Sequence, residues 1–167
     1  MNWQYYPKSD RLPEHLSYLI DVFVQHEEDI KSPDNGLTSD QVLSVLRESL
    51  VAVGFDVEKS KKTIDKINVP VLFGRNGRPE KSFEADAVHA ITHTVLEVEA
   101  GRGVTNYQFL KDLFQACMMY SIDYLAIAVR NKYRSSNDFE KVVTFFDTLH
   151  ASNRLRLPLA GVLVIGY

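Results

Sequence analysis

The stretch Phe83–Gly101, FEADAVHAITHTVLEVEAG, sets acids inside the most strand-like part of the chain. Asp86 lies between alanines in one apolar run, and Glu97 and Glu99 alternate with Leu96, Val98 and Ala100 in the next. Side chains of a strand alternate between faces, so Glu97 and Glu99 share one face while Leu96, Val98 and Ala100 share the other. A turn near Thr92 would pair the two runs and bring residue 86 opposite about residue 97. Carboxylates gathered in this way repel and raise one another's pKa, and burying one unpaired is expensive. Oxygen ligands at this density suit a hard divalent ion such as Mg²⁺. The same pattern also describes an acidic stripe facing water on one side of a sheet, and the residues alone leave both readings open.

Working outward, PEHLSYLIDVFVQHEEDI carries Leu16, Leu19, Ile20, Phe23 and Val24 at helical spacing, with Pro13 suited to the first turn. TSDQVLSVLRESLVAVGF opens with a capping box, Thr38 and Gln41, and Gly54 is its natural stop. INVPVLFGRNGRPEKSFEADAVHAITHTVLEVEA reads as three strands with turns at GRNGRPE and near Thr92. Thr105 and Gln108 repeat the capping-box spacing ahead of a helix whose expected buried face is Phe109, Leu110, Leu113, Phe114 and Cys117. DYLAIAVRN reads as a buried strand, SSNDFEKVVTFFDTLHAS as an amphipathic helix and LPLAGVLVIGY as a last strand. The order is helix, three strands, helix, strand, then a further helix and strand. A strand–helix–strand step predicts one parallel pair, and hence an α/β fold with a mixed central sheet flanked by helices on both faces. Residues 1–167 read as a single domain, with an N-terminal helical extension over 1–37, a core over 38–130 and a C-terminal helix and strand over 131–167.

The composition is consistent with one core: 167 residues, 45% hydrophobic and 25% charged. The chain has no apolar stretch near the ~20 residues that span a bilayer, and MNWQYYPKSD has no apolar signal segment, so a cytoplasmic protein is expected with no membrane partner. The single cysteine, Cys117, excludes an internal disulfide and reads as a buried small hydrophobe. A net charge of −3 conceals an asymmetry: residues 1–58 carry 11 acids against 4 bases, residues 59–167 carry 11 against 15. The basic residues cluster in EKSKKTIDK, RNGRPEK, VRNKYR and NRLRL, which suit a phosphate backbone or an ordinary solvated surface. His89 and His93 flank the strand turn, with His89 on the face away from Asp86, so a zinc site is not expected there. Glycine-rich phosphate loops and Ser–His–Asp or Cys–His arrangements are absent, and no small-molecule cofactor is expected.

Asp86, ten further residues, Glu97-Val98-Glu99, then a helix and an apolar strand resemble the PD-(D/E)XK nuclease superfamily, whose core runs helix, three strands, helix, strand. The resemblance covers roughly 90 residues, from Thr38 to Arg130, and rests on element order plus a short motif. It implies a restriction-endonuclease-like αβββαβ core and Mg²⁺-dependent hydrolysis of DNA phosphodiester bonds, with Mn²⁺ as a substitute. Asp86 and Glu97 would be metal ligands, the Val98 carbonyl a further one, and Glu48 on the first core helix the candidate that completes the set. Two positions depart from the pattern: Ala85 stands where the superfamily has proline, and Glu99 where it has lysine. Lysine polarises water or balances phosphate charge, whereas Glu99 can accept a proton from water or bind a second metal. Arg102 between two glycines is the nearest cation in sequence to the developing phosphate charge. Asn106, Gln108 and Lys111 lie at the start of the next helix, whose N-terminus favours an anion, and are candidate DNA contacts. A single site cuts one strand, so cleavage of a duplex calls for a homodimer or a partner. The alternative implied by Glu99 is a catalytically inactive nuclease-fold protein that binds nucleic acid or a protein partner.

Overall fold

In the computed structural model, which describes residues 1–60, 62–101, 104 and 106–167, with the side chain of residue 63 left out, six strands form one mixed sheet. In chain order the elements are β1 (Asn2–Tyr6), α1 (Glu14–Gln25), α2 (Glu27–Ile30), α3 (Ser39–Ala52), β2 (Asp56–Val57), β3 (Ile67–Phe73), β4 (Pro79–Ala85), β5 (Ala87–His89), β6 (Thr94–Glu99), α4 (Gln108–Met118), β7 (Tyr124–Val129), α5 (Asp138–Ser152) and β8 (Gly161–Gly166). The sheet order is β1-β8-β7-β6-β5-β2. The β6–β7 and β7–β8 pairs are parallel and the others antiparallel, so the sheet has two parallel pairs where the sequence pattern predicts one. No helix among the described residues is long and apolar enough to cross a membrane.

The alternation of β6 divides the core in two. Leu96 and Val98 face a cluster built with Leu16, Leu19 and Phe23 of α1 and Leu43, Leu46 and Leu50 of α3. Val95 faces the opposite cluster with Phe109 and Leu113 of α4 and Phe139, Val142 and Phe146 of α5. Each buried aliphatic or aromatic side chain contributes about 1.5–3 kcal/mol through burial, which is why central strands β7 and β8 are apolar on both faces.

Local chemistry sets several boundaries. The Thr38 side chain accepts from Gln41 N–H while the Gln41 side chain accepts from Thr38 N–H at 2.8 Å, the expected capping box. The helix ends at Ala52 with Val53 as its C-cap, and Gly54 follows with a φ of 98°, a conformation glycine adopts without a side-chain clash. Pro13 precedes the first turn of α1 rather than entering it, and stands at the N-cap with extended backbone.

Two expectations need correction. The run INVPVLF is not a strand of the main sheet: β3 pairs with β4 alone, as a two-stranded arm with irregular register around Pro70 and Leu72. Proline cannot donate to a ladder, and Leu72 and Phe73 are exposed, so this run lacks the buried surroundings of a central strand. The first strand of the core is instead the two-residue β2, paired with β5. On α4, the expected cap at Thr105 lies outside the described residues; the helix begins at Gln108, and its N-cap Tyr107 makes no side-chain capping bond. Its buried face is Phe109, Asp112, Leu113 and Ala116, whereas Phe114 is 53% exposed. Finally, the N-terminal aromatic residues, to which the sequence assigns no place, form β1 along β8, with Tyr5 and Tyr6 buried.

That last pairing is testable. A Cβ on Gly161 would come within 2.6 Å of the Tyr5 ring. Gly161→Ala is therefore expected to lower stability in urea unfolding by about 1–3 kcal/mol, and Tyr5→Leu in the same background should recover part of the loss. An alanine variant as stable as the parent would contradict the placement of β1.

Candidate active site

The arm delivers Asp86 to the sheet. β4 ends at Ala85 and β5 begins at Ala87, so Asp86 occupies the junction where the chain leaves one sheet for the other. The β5–β6 ladder pairs Ala87 with Leu96, Val88 with Val95 and His89 with Thr94. One step further in this register sets Asp86 beside Glu97, as the hairpin reading predicts. The Val98 N–H donates to Asp86 Oδ2 at 2.8 Å. A strand residue directs its N–H and C=O toward the same neighbour, so the Val98 carbonyl projects along the same edge, past the last rung of the β5–β6 ladder.

The row of acids extends in the other direction. β2 pairs Val57 with Ala87, and the next residue, Glu58, donates its N–H to the Asp86 carbonyl at 2.8 Å. Glu58 is buried at 7% exposure, and Lys66 Nζ bonds both of its oxygens at 2.9 and 3.0 Å while also reaching Glu84 at 3.3 Å. Glu58, just past β2, Asp86, just before β5, and Glu97 on β6 thus stand abreast, with Glu99 two residues along β6 on the same face. Asp112, on α4, closes over this face at 4% exposure, beside Glu99 and near enough for the two carboxyls to share a proton. Asp112 Oδ2 is buried with no hydrogen-bond partner among the described residues.

Crowding and burial dominate the electrostatics. Burial pushes the Asp86 carboxyl up to about 6, against the opposing Val98 N–H bond, and the charges of Glu58 and Asp112 raise it further while Lys66 lowers it. Glu97 keeps some exposure as a residue, yet protein surrounds its carboxyl closely, and burial together with Asp86, Asp112 and Glu99 holds it well above the usual carboxylate range. Glu99 is pushed to about 8 by burial and then by Asp112. Asp112 is itself raised by burial, offset by Glu99 and Lys111. Lys111, exposed on α4, eases all three of Glu97, Glu99 and Asp112.

Among the described residues, no three His, Cys, Asp or Glu side chains stand around one point where they could hold an ion. The available ligand set is therefore two carboxylates and a main-chain carbonyl, not a carboxylate cage. That set fits a hard divalent cation: every donor is oxygen, and the two carboxyls repel one another in a buried setting.

The other residues singled out from the sequence are placed differently. Glu48 is exposed on α3, the helix that buries Leu46 and Leu50 against the opposite face of the sheet, and the structure does not bring it to the cluster. Asn106 is exposed and Gln108 half-buried at the start of α4, while Arg102 lies outside the described residues. His89 packs edge-on against Phe55, and its Nδ1 accepts from Thr92 N–H at 3.2 Å, a structural role within the hairpin. Asp112 and Glu58 were not foreseen. A signal for Asp112 existed: Phe109, Asp112, Leu113 and Ala116 follow the i, i+3, i+4, i+7 spacing of one helix face.

No family model matches the chain, and no curated protein matches it. Among solved structures, the crystal structure of free BglII, a restriction endonuclease, is similar at 13% identity with a TM-score of 0.51, over 99% of this chain and 77% of that one. The likeness shows the fold: a restriction-endonuclease-like mixed sheet flanked by helices.

A pH dependence of stability follows. Asp86 and Glu99 bind protons more tightly folded than unfolded, because their folded values of about 6 and about 8 lie above the ordinary 3.8 and 4.5. The stability they contribute in protonated form is full below the ordinary values and is lost as pH rises through the folded ones. With a chelator present, the melting temperature should fall between roughly pH 5 and pH 8.5, and Glu99→Gln should flatten the decline. A melting temperature that climbs across this range would contradict the arrangement.

Proposed function

We propose that this chain is a divalent-cation-dependent endonuclease that hydrolyses DNA phosphodiester bonds, a Glu-x-Glu variant of the PD-(D/E)XK pattern. The observation that carries the reading is the β5–β6 register, which continued by one step sets Asp86 beside Glu97, together with the Val98 N–H bond to the first acid. This is joined to a restriction-endonuclease-like fold. Asp86, Glu97 and the Val98 carbonyl would hold Mg²⁺, or Mn²⁺ in its place. When bound, the cation supplies a Lewis acid for the scissile phosphate and lowers the pKa of a water. Glu99, on the same face, orients the attacking water and, once ionised, accepts its proton. Lys111, exposed on α4, would bring positive charge to the mouth of the site, and Asn106, Gln108 and the N-terminus of α4 would receive phosphate oxygens. Arg102 would add a further cation. With one site per chain, cutting both strands of a duplex takes two copies.

A second reading rests on Glu99 itself. An acid in the lysine position, sharing its proton with Asp112, suits a nuclease-fold protein that binds nucleic acid or a protein partner without cutting.

Cleavage assays separate the two. Purified protein should nick supercoiled plasmid with Mg²⁺ or Mn²⁺ and not with chelator, and Glu97→Gln or Asp86→Asn should reduce the rate by about 10²-fold or more, the scale on which losing an essential electrostatic group acts. Intact plasmid with every metal, alongside duplex binding that persists in chelator, would replace the nuclease reading with the binding one.

A further inference from the structure

The fold sends the basic clusters of the sequence to different places. NRLRL follows α5 and precedes β8, whose first residue, Gly161, pairs with Tyr124 at the start of β7. It therefore lies at the end of the sheet away from Glu99. RNGRPEK forms the tip of the two-stranded arm. EKSKKTIDK has Lys61 outside the described residues, and its Lys66 is bound to Glu58. VRNKYR continues from the carboxyl end of β7, where Val129 pairs with Glu99. Open α/β sheets receive ligands in the crevice outside the carboxyl ends of their strands.

The loop that follows β7 is fixed at several points. Asn131 N–H donates to the Tyr167 carbonyl at 2.7 Å, and Lys132 N–H to Ser32 Oγ at 3.2 Å. Tyr133 and Ser136 exchange both main-chain bonds at 2.9 Å. The Tyr133 ring lies against Gly101, two residues past Glu99, where an added Cβ would come within 3.1 Å of it. Tyr167 also donates its hydroxyl to the Glu99 carbonyl at 3.0 Å, so the loop and the acid-bearing strand share one support. The guanidinium groups of Arg130 and Arg134 stand 5.4 and 5.3 Å from the centre of the Tyr133 ring. Arg130 is engaged elsewhere, donating to the Leu37 carbonyl. Arg134 is exposed and makes no ion pair or hydrogen bond to a described residue. Stacking on a ring restrains a guanidinium without using its N–H donors, which stay free for a phosphate. Arg134 has a φ of 56°, backbone that favours glycine or asparagine, so the turn itself does not call for arginine. Lys132 is likewise exposed without an ion pair among the described residues, whereas Lys8, Lys31 and Lys66 each have one.

We propose that Arg134 and Lys132 hold backbone phosphates of a DNA duplex lying across the carboxyl ends of β6 and β7, with Tyr133 positioning Arg134. The inference rests on the proposed DNA substrate. Phosphate contacts fix where a duplex lies without reading its sequence, so this loop sets the scissile bond over Asp86 and Glu97.

The test is fluorescence anisotropy of a duplex of about 20 base pairs titrated with the full-length chain, in Ca²⁺ and in chelator, from about 50 to 200 mM KCl. Arg134→Asn keeps a residue suited to the left-handed backbone and removes the charge. It should weaken binding about 3- to 10-fold at the lowest salt, equally for unrelated sequences, and reduce the salt slope of log K by about one. Lys132→Ala should do the same. Tyr133→Leu should behave like Arg134→Asn, and Tyr133→Phe, which keeps the ring, like the parent. Arg154→Ala, at the opposite end of the sheet, should leave affinity and slope unchanged. Parent-like affinity and slope in both Arg134→Asn and Lys132→Ala would overturn the inference and leave the DNA substrate standing. Equal losses in Arg154→Ala and Arg134→Asn would also overturn it, since diffuse charge would then account for binding. A parent that binds no duplex and leaves plasmid intact with Mg²⁺ would overturn the inference and the proposed substrate together.

Discussion

The hydrogen bond from Val98 N–H to Asp86 Oδ2, 2.8 Å long, joins the sheet edge to the acid that arrives on the two-stranded arm. Asp86 belongs to neither β4 nor β5, so no ladder of its own strand fixes its side chain. The amide supplies that constraint. It also partly offsets the burial that pushes the Asp86 carboxyl upward. The bond exists because the β5–β6 ladder ends at the Ala87–Leu96 pair while β6 continues to Glu99, which leaves main-chain groups of β6 directed past the start of β5. The site is thus a consequence of one strand being shorter than its neighbour.

The strand β6 then sorts apolar from polar by alternation. Leu96 and Val98 lock it to α1 and α3, and on the other face Val95 is packed while, among the described residues, Glu97 and Glu99 have no ion pair such as the one Glu58 makes. Glu58 shows the contrast. It stands in the same row, but Lys66 grips both of its oxygens, and it acts on Asp86 as a neighbouring charge. An acid with a built-in lysine is satisfied; the acids beside it remain available for a cation.

What the sequence revealed of this arrangement followed the range of the interactions involved. The Thr38–Gln41 capping box is three residues wide and is present as read. The register of Asp86 against Glu97 depends on a turn of a few residues, and it too was legible from FEADAVHAITHTVLEVEAG. The strand β1, by contrast, pairs Asn2 with Gly166, and no local pattern announces a partner at the far end of the chain. The two-residue β2 is too short to show a period, whereas INVPVLF has the apolar run of a core strand despite its proline. Asp112 was passed over for a different reason. Hydrophobicity favoured Phe114 as the buried residue, but burial of a carboxyl on that face is set by the acids across from it, which belong to another element. Glu48 was proposed by resemblance alone, and the helix that carries it packs on the other side of the sheet.

The proposed activity requires that Asp86, Glu97 and the Val98 carbonyl form a cation-binding edge. A crystal structure determined with Mn²⁺, phased on manganese anomalous scattering, tests it most directly. The account predicts a manganese peak at bonding distance, roughly 2.0–2.2 Å for a small hard divalent ion, from a carboxylate oxygen of each acid and from the Val98 oxygen. Crystals that take up manganese elsewhere, with Asp86 and Glu97 still lacking a shared ion, would contradict it.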